Sequence, residues 1–149
     1  MKKNLITAMK TSISEVMEAM FYLPVEISHG DTMPRCGLIG SQEIKGGRLG
    51  FTGPCSGCFS LFIPRDLLAV MTENFMGDPR ETLSMEHFEG VLKEGLNMIA
   101  GNTLRKMAGA SSYELQVPGM VDGGTLPDTT ALVQVETMDG TMTVFIELD

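Results

Sequence analysis

The chain has 149 residues, of which 43% are hydrophobic, enough for one domain with its own core over 1–149. Its net charge is −8 and its pI is about 4.7, so its surface repels phosphate backbones and disfavours nucleic-acid binding. Three cysteines, an odd number, fit a reducing compartment better than a disulfide framework.

In chain order, the start "MKKNLITAMK" has too short an apolar run for a signal peptide, because Lys10 interrupts it and Glu15 and Glu18 follow. No segment is long enough to span a bilayer, so a cytoplasmic protein that does not enter the membrane is expected. Asn4 to Phe21 reads as an amphipathic helix on the spacing of Leu5, Ile6, Met9, Ile13, Val16, Met17 and Met20, and Pro24 is expected to end it. The thirteen methionines read mainly as adaptable core filler, with Met9, Met17 and Met20 at core-like positions.

"VEISHGD" reads as a short strand. "CGLIGSQEI", "GRLGFTG" and "CFSLFI" read as β-type runs, with Lys45–Gly47 ("KGG") as the turn. Pro64 occupies the favoured first-turn position of a second helix over about Arg65 to Phe75, which Gly77–Pro79 stops. Ser84 opens a third helix that runs to about Ala108. Its start reads Ser-x-x-His, without the usual capping-box acid, although Glu86 suits the N-terminal dipole. "YELQV" follows, then a loop from Pro118 to Thr129. "ALVQVETM" and "TMTVFIEL" flank Asp139-Gly140, a strong hairpin signal. Helix plus strands occurs twice with the Pro64 helix between the copies, which predicts an α+β fold with helices packed on an antiparallel sheet.

The third helix carries the most informative pattern. Phe88, Val91, Leu92, Gly95, Leu96, Ile99 and Thr103 share one face, expected to lie on the sheet, with Gly95 allowing close approach. Gly90, Glu94, Asn97 and Gly101 form a stripe on the opposite face. A helix-interior Gly costs about 1 kcal/mol relative to Ala, and better helix formers usually fill a solvated face. The stripe therefore reads as bare backbone for a close-approaching partner, with a carboxylate and a carboxamide between. Asn97 cannot be a general base, but its amide can donate one hydrogen bond and accept another, which suits it to hold a water. Glu94 suits a cation on the partner. With no adjacent nucleophile, base or metal cluster, any catalysis here needs a partner that brings most of the active site.

At these residues "KEGLNMIAGN" resembles the E-x-x-N helix of the CheC/CheX/FliY chemotaxis phosphatases, and is most similar to the CheX type, with one such helix per chain. The leading helix "SISEVMEAM", the paired hairpins, the inserted middle helix and the continuation Asn97-x-x-x-Gly101-Asn102 extend the resemblance over nearly the whole chain. It implies removal of the phosphoryl group from the aspartyl phosphate of a CheY-like response regulator, in chemotaxis or two-component signalling. Glu94 would bind a lysine of the regulator and Asn97 would orient the hydrolytic water. No cofactor would be bound by this chain, the Mg2+ belonging to the regulator. Gly90 and Gly101 would let the helix enter the regulator's cleft. Gly90 stands where double-site relatives carry an acid or Ser. The first helix has Glu15-Val16-Met17-Glu18, with an acid where Asn would stand, so that site is expected to be silent. Pro118 loosely matches the family's proline after the helix.

Two other functions stand beside phosphatase: a regulator-binding adaptor of the same fold without turnover, and a thiol or metal protein using the CxxC at Cys55 and Cys58. Against the latter, a second CxxC is missing, and His29 and His87 have no ligand spacing. "HGDTMPRC" (29–36) reads as a polar loop. "PGMVDGGTLPD" (118–128) lacks the Gly-Lys-Ser/Thr of a P-loop. The resemblance also implies a homodimer through sheet edges. The last run, "TMTVFIELD", reads either as an exposed edge strand that invites a second chain, with Phe145 covering the junction, or as a strand inside the sheet.

Overall fold

The computed structural model describes residues 2–30, 43–108, 112–121 and 131–149. The apolar period at the start gives α1, Lys2–Phe21. Leu5, Met9, Ile13, Val16, Met17 and Phe21 are buried along its length. Met20, expected in the core, is instead 36% exposed, because at the last turn its face runs past the core into a groove beside α3. Pro24 is not what closes the helix. Tyr22 turns left-handed at φ 56, and the Leu23 N–H donates to the Met17 carbonyl at 3.0 Å, satisfying an otherwise orphaned acceptor.

The strands are β1 (Glu26–Gly30), β2 (Ile44–Thr52), β3 (Gly57–Pro64), β4 (Glu114–Leu115), β5 (Gly119–Val121), β6 (Ala131–Thr137) and β7 (Gly140–Leu148). Their pairings are all antiparallel, in the order β1-β6-β7-β3-β2-β4, with β5 also on β2. Arg65–Met76 forms α2 and Met85–Ala108 forms α3. Pro64 caps α2 from outside the helix rather than filling its first turn, and Gly77, at φ 74, ends it. The α+β expectation and the Asp139-Gly140 hairpin hold. "YELQV" yields only the two-residue β4. Val121 closes β5 inside the stretch expected to be loop, and 122–130 lie outside the described residues, as do 31–42 and so most of "CGLIGSQEI" and "HGDTMPRC".

Lys45–Gly47 is not a turn but part of β2, paired with Ile63, Phe62 and Leu61 of β3. Glycine serves packing there, since a Cβ at Gly47 would collide with Leu92 of α3, and one at Gly46 would stand 2.8 Å from the Phe62 ring. The close helix–sheet approach expected of Gly95 is therefore made by Gly47. Gly95 itself faces α1, where its Cβ would stand 3.4 Å from Phe21.

The terminal strand is not an edge. β7 lies between β6 and β3, with its backbone groups paired on both sides, so it offers no second chain a template. Phe145 is 1% exposed and meets Phe62 edge-on at 5.5 Å in a small cluster with Leu132. Among the described residues the edges of the sheet are β1 on one side and β4 with β5 on the other.

The three helices pack on the other face. Leu49, Phe51, Phe59, Leu61, Ile63, Val133, Val135, Met142, Val144 and Ile146 join the helix residues in one core, as period-2 alternation requires.

Candidate functional site

The site is carried by α3, and local chemistry fixes that helix at both ends. At its start the Ser84 N–H donates to His87 Nδ1 at 2.9 Å, while the His87 N–H reaches Ser84 Oγ at 3.4 Å. His87 thus fills the place of the missing capping-box acid by the same reciprocal geometry. Near the other end Lys106 Nζ donates to both oxygens of Glu15, at 3.2 and 3.4 Å, tying α3 to α1. Between them Phe88, Val91, Leu92, Leu96 and Ile99 are buried. Thr103, fully buried, satisfies its hydroxyl by donating to the Ile99 carbonyl at 2.7 Å.

This burial turns the opposite stripe outward. Gly90 and Glu94 are exposed; Asn97 and Gly101 are half-buried. Nothing lies within 4 Å of the place a Cβ would take at Gly90. At Gly101 the space is bordered by Arg105 and Leu115, each 3.7 Å away. Glu94 and Asn97 are one turn apart on one face. Neither side chain has a hydrogen bond or ion pair to another described residue. Both polar groups are thus presented without a partner, on backbone that no side chain covers at its N-terminal end.

Beside the stripe runs a groove between α1 and α3. Asn97, Gly101, Asn102 and Arg105 line one wall; Glu15 and Met20 line the other, with Leu115 among its lining residues. Glu15, in the first-helix stretch Glu15 to Glu18, is paired with Lys106. Sequence reading missed Arg105. Carrying the stripe one step further, from Gly101 to i+4, would have found it.

Among the described residues, Cys55 and Cys58 contact different side chains. Both thiols are free; Cys55 Sγ lies 3.4 Å from the Tyr113 hydroxyl and Cys58 donates to Glu147 Oε1 at 3.5 Å. Burial pushes the Cys58 thiol above its usual range, against the pull of a hydrogen bond with Arg48. The Cys55 contact pushes Tyr113 up to about 12. Among the described residues no group of three or more His, Cys, Asp or Glu is placed to hold a metal, and no helix is long and apolar enough to cross a membrane.

Known proteins agree with this architecture. A family described as "Chemotaxis phosphatase CheX" matches residues 46–136, more than half of the chain and including the whole stripe. The chemotaxis protein CheX of Vibrio vulnificus superposes with a TM-score of 0.80 at 17% identity, over 100% of this chain and 99% of that one. A CheC-like superfamily protein from Shewanella sp. PV-4 gives 0.79 at 15% identity, over 98% and 97%. CheX from Borrelia burgdorferi, solved in a CheX–CheY–BeF3–Mg complex, gives 0.70 at 17% identity, over 95% and 97%. A search of curated sequences finds no significant match. At these identities the structural likenesses speak for the fold, while the family match covers the helix that carries Glu94 and Asn97: the chain belongs to the CheX family.

Proposed function

We propose that this protein hydrolyses the aspartyl phosphate of a CheY-like response regulator, with α3 inserted at the regulator's phosphorylation site. The observation that carries the reading is the outward stripe: Glu94 and Asn97 without partners among the described residues, above a helix surface left open at Gly90. The relative solved as a CheX–CheY–BeF3–Mg complex supports a receiver as the partner.

The chemistry asked of this chain is small. Glu94 accepts a charge-assisted hydrogen bond from a lysine ammonium of the regulator and so sets the register of docking. Asn97 accepts a hydrogen bond from a water through Oδ1 and holds that water in line with phosphorus. The water oxygen bonds to phosphorus, and the bond from phosphorus to the aspartyl oxygen breaks. The aspartate leaves as carboxylate, inorganic phosphate is released, and the water's proton goes to phosphate or solvent. Mg2+ is the regulator's and supplies charge stabilisation there.

Single-turnover phosphate release from a phosphorylated receiver, at saturating protein, tests this. Asn97→Ala is expected to bind the receiver and to hydrolyse at least ~10²-fold more slowly, the scale of such positioning and electrostatic effects. An unchanged rate constant removes Asn97 from the mechanism. Tight binding by the wild-type protein without phosphate release would make it an adaptor instead.

A further inference from the structure

Asn102 follows Gly101 in the sequence motif, yet the hydrolytic chemistry gives it no task. Its Oδ1 accepts a hydrogen bond from Arg105 Nη2. That bond folds the arginine back along the helix, so that Nη1 stands 3.7 Å from the Cβ position of Gly101. The guanidinium is thereby held about one turn, ~6 Å, beyond Asn97 on the same groove. Its charge is not met by a carboxylate among the described residues. Glu15, the acid that lines this groove, is taken by Lys106 instead. An exposed arginine, held in place by a neutral amide in a protein of net charge −8, is a docking group awaiting an anion.

The stripe is therefore polarised along its length. An unpaired carboxylate stands at Glu94. A cation stands at Arg105, whose backbone lies about 16 Å further along the axis. A partner with a lysine at one end and an acidic side chain at the other fits in one direction only, since reversal places like charges together.

Resting on the phosphatase reading above, we propose that Arg105, pre-set by Asn102, fixes the orientation of the docked receiver by pairing with a carboxylate on the receiver surface beside the phosphorylated aspartate.

The probe is a CheY-like receiver domain, with and without beryllofluoride and Mg2+, titrated at low and high salt. Arg105→Glu is expected to weaken association at low salt about tenfold or more and to flatten its salt dependence. Arg105→Lys, which keeps the charge but loses the planar fork, is expected to recover most of the loss. The loss is expected to be comparable for loaded and unloaded receiver, because a surface carboxylate is present in both. Thermal melting of the variants controls for folding. Unchanged affinity in Arg105→Glu, while the wild-type protein binds, overturns the proposal and leaves the phosphatase reading intact. A loss confined to the loaded receiver also overturns it, by assigning the contact to the phosphoryl group. A wild-type protein that binds no receiver overturns both.

Discussion

Filling the bare stripe separates what the helix would gain from what the partner would lose. Gly90 is in the interior of α3, exposed, with nothing within 4 Å of its Cβ position, so an added side chain meets no obstacle. Gly101 has neighbours at 3.7 Å, an ordinary contact. Each Gly→Ala change is expected to stabilise by about 0.8–1 kcal/mol. The two sites are three turns apart and share no contact, so their effects are expected to add to nearly 2 kcal/mol. For a chain of this size each kcal/mol moves Tm by about 2–4 °C, which places the double alanine variant roughly 4–8 °C above the wild type. Gly90→Leu keeps most of the gain at that site, leucine being a good helix former, but extends a branched side chain into the space that the proposed docking would use. Calorimetric melting and a receiver titration on the same preparations read both consequences. A Gly90→Leu variant that melts higher and still binds and hydrolyses as the wild type does would refute the close-approach explanation. A double alanine variant that fails to melt higher would refute the helix accounting.

Gly47→Ala has the opposite sign: its methyl collides with Leu92, and an overpacking cost of about 1–3 kcal/mol is expected in chemical denaturation. Ser12 Oγ is fully buried without a hydrogen-bond partner among the described residues, so Ser12→Ala is expected to raise stability by ~1 kcal/mol in the same assay. Tyr113, raised to about 12 from an ordinary value of 10.0, favours the neutral phenol in the folded state. That contribution is fully present below about pH 10 and is lost as pH rises through 12. Tyr113→Phe is therefore expected to flatten the alkaline fall in Tm, and an identical pH profile would count against it.

Much of this architecture was legible locally. The buried face of α3 was readable because packing obeys the helical period, and the Asp139-Gly140 hairpin because its turn chemistry is intrinsic. Gly46 and Gly47 were misread as a turn because glycine marks both a bend and a close approach. Only the position of Leu92, 45 residues on from Gly47, decides between them. The place of β7 depends on partners distant in sequence, and its alternating pattern is compatible with an edge or an interior position. Glu94 and Asn97 stood out through their spacing. Arg105 continues that spacing by one turn, but its hold in the groove depends on a side-chain bond with Asn102 and on Glu15 being engaged elsewhere, which spacing does not record.

The central position of β7 also sets the order in which the molecule is completed during synthesis. β2 and β3 can pair as soon as both have left the ribosome, but the side of β3 that will receive β7 stays bare. β1 emerges earlier still and must wait for β6, with Glu26 meeting Glu136 only when nearly the whole chain is out. The last strand in chain order joins the two halves, so α3 is translated well before the sheet beneath it is whole. Folding dominated by such distant pairings is slow. A nascent chain that stalls before β7 carries a fully formed α3 sequence over an unfinished sheet, with an apolar edge open to aggregation.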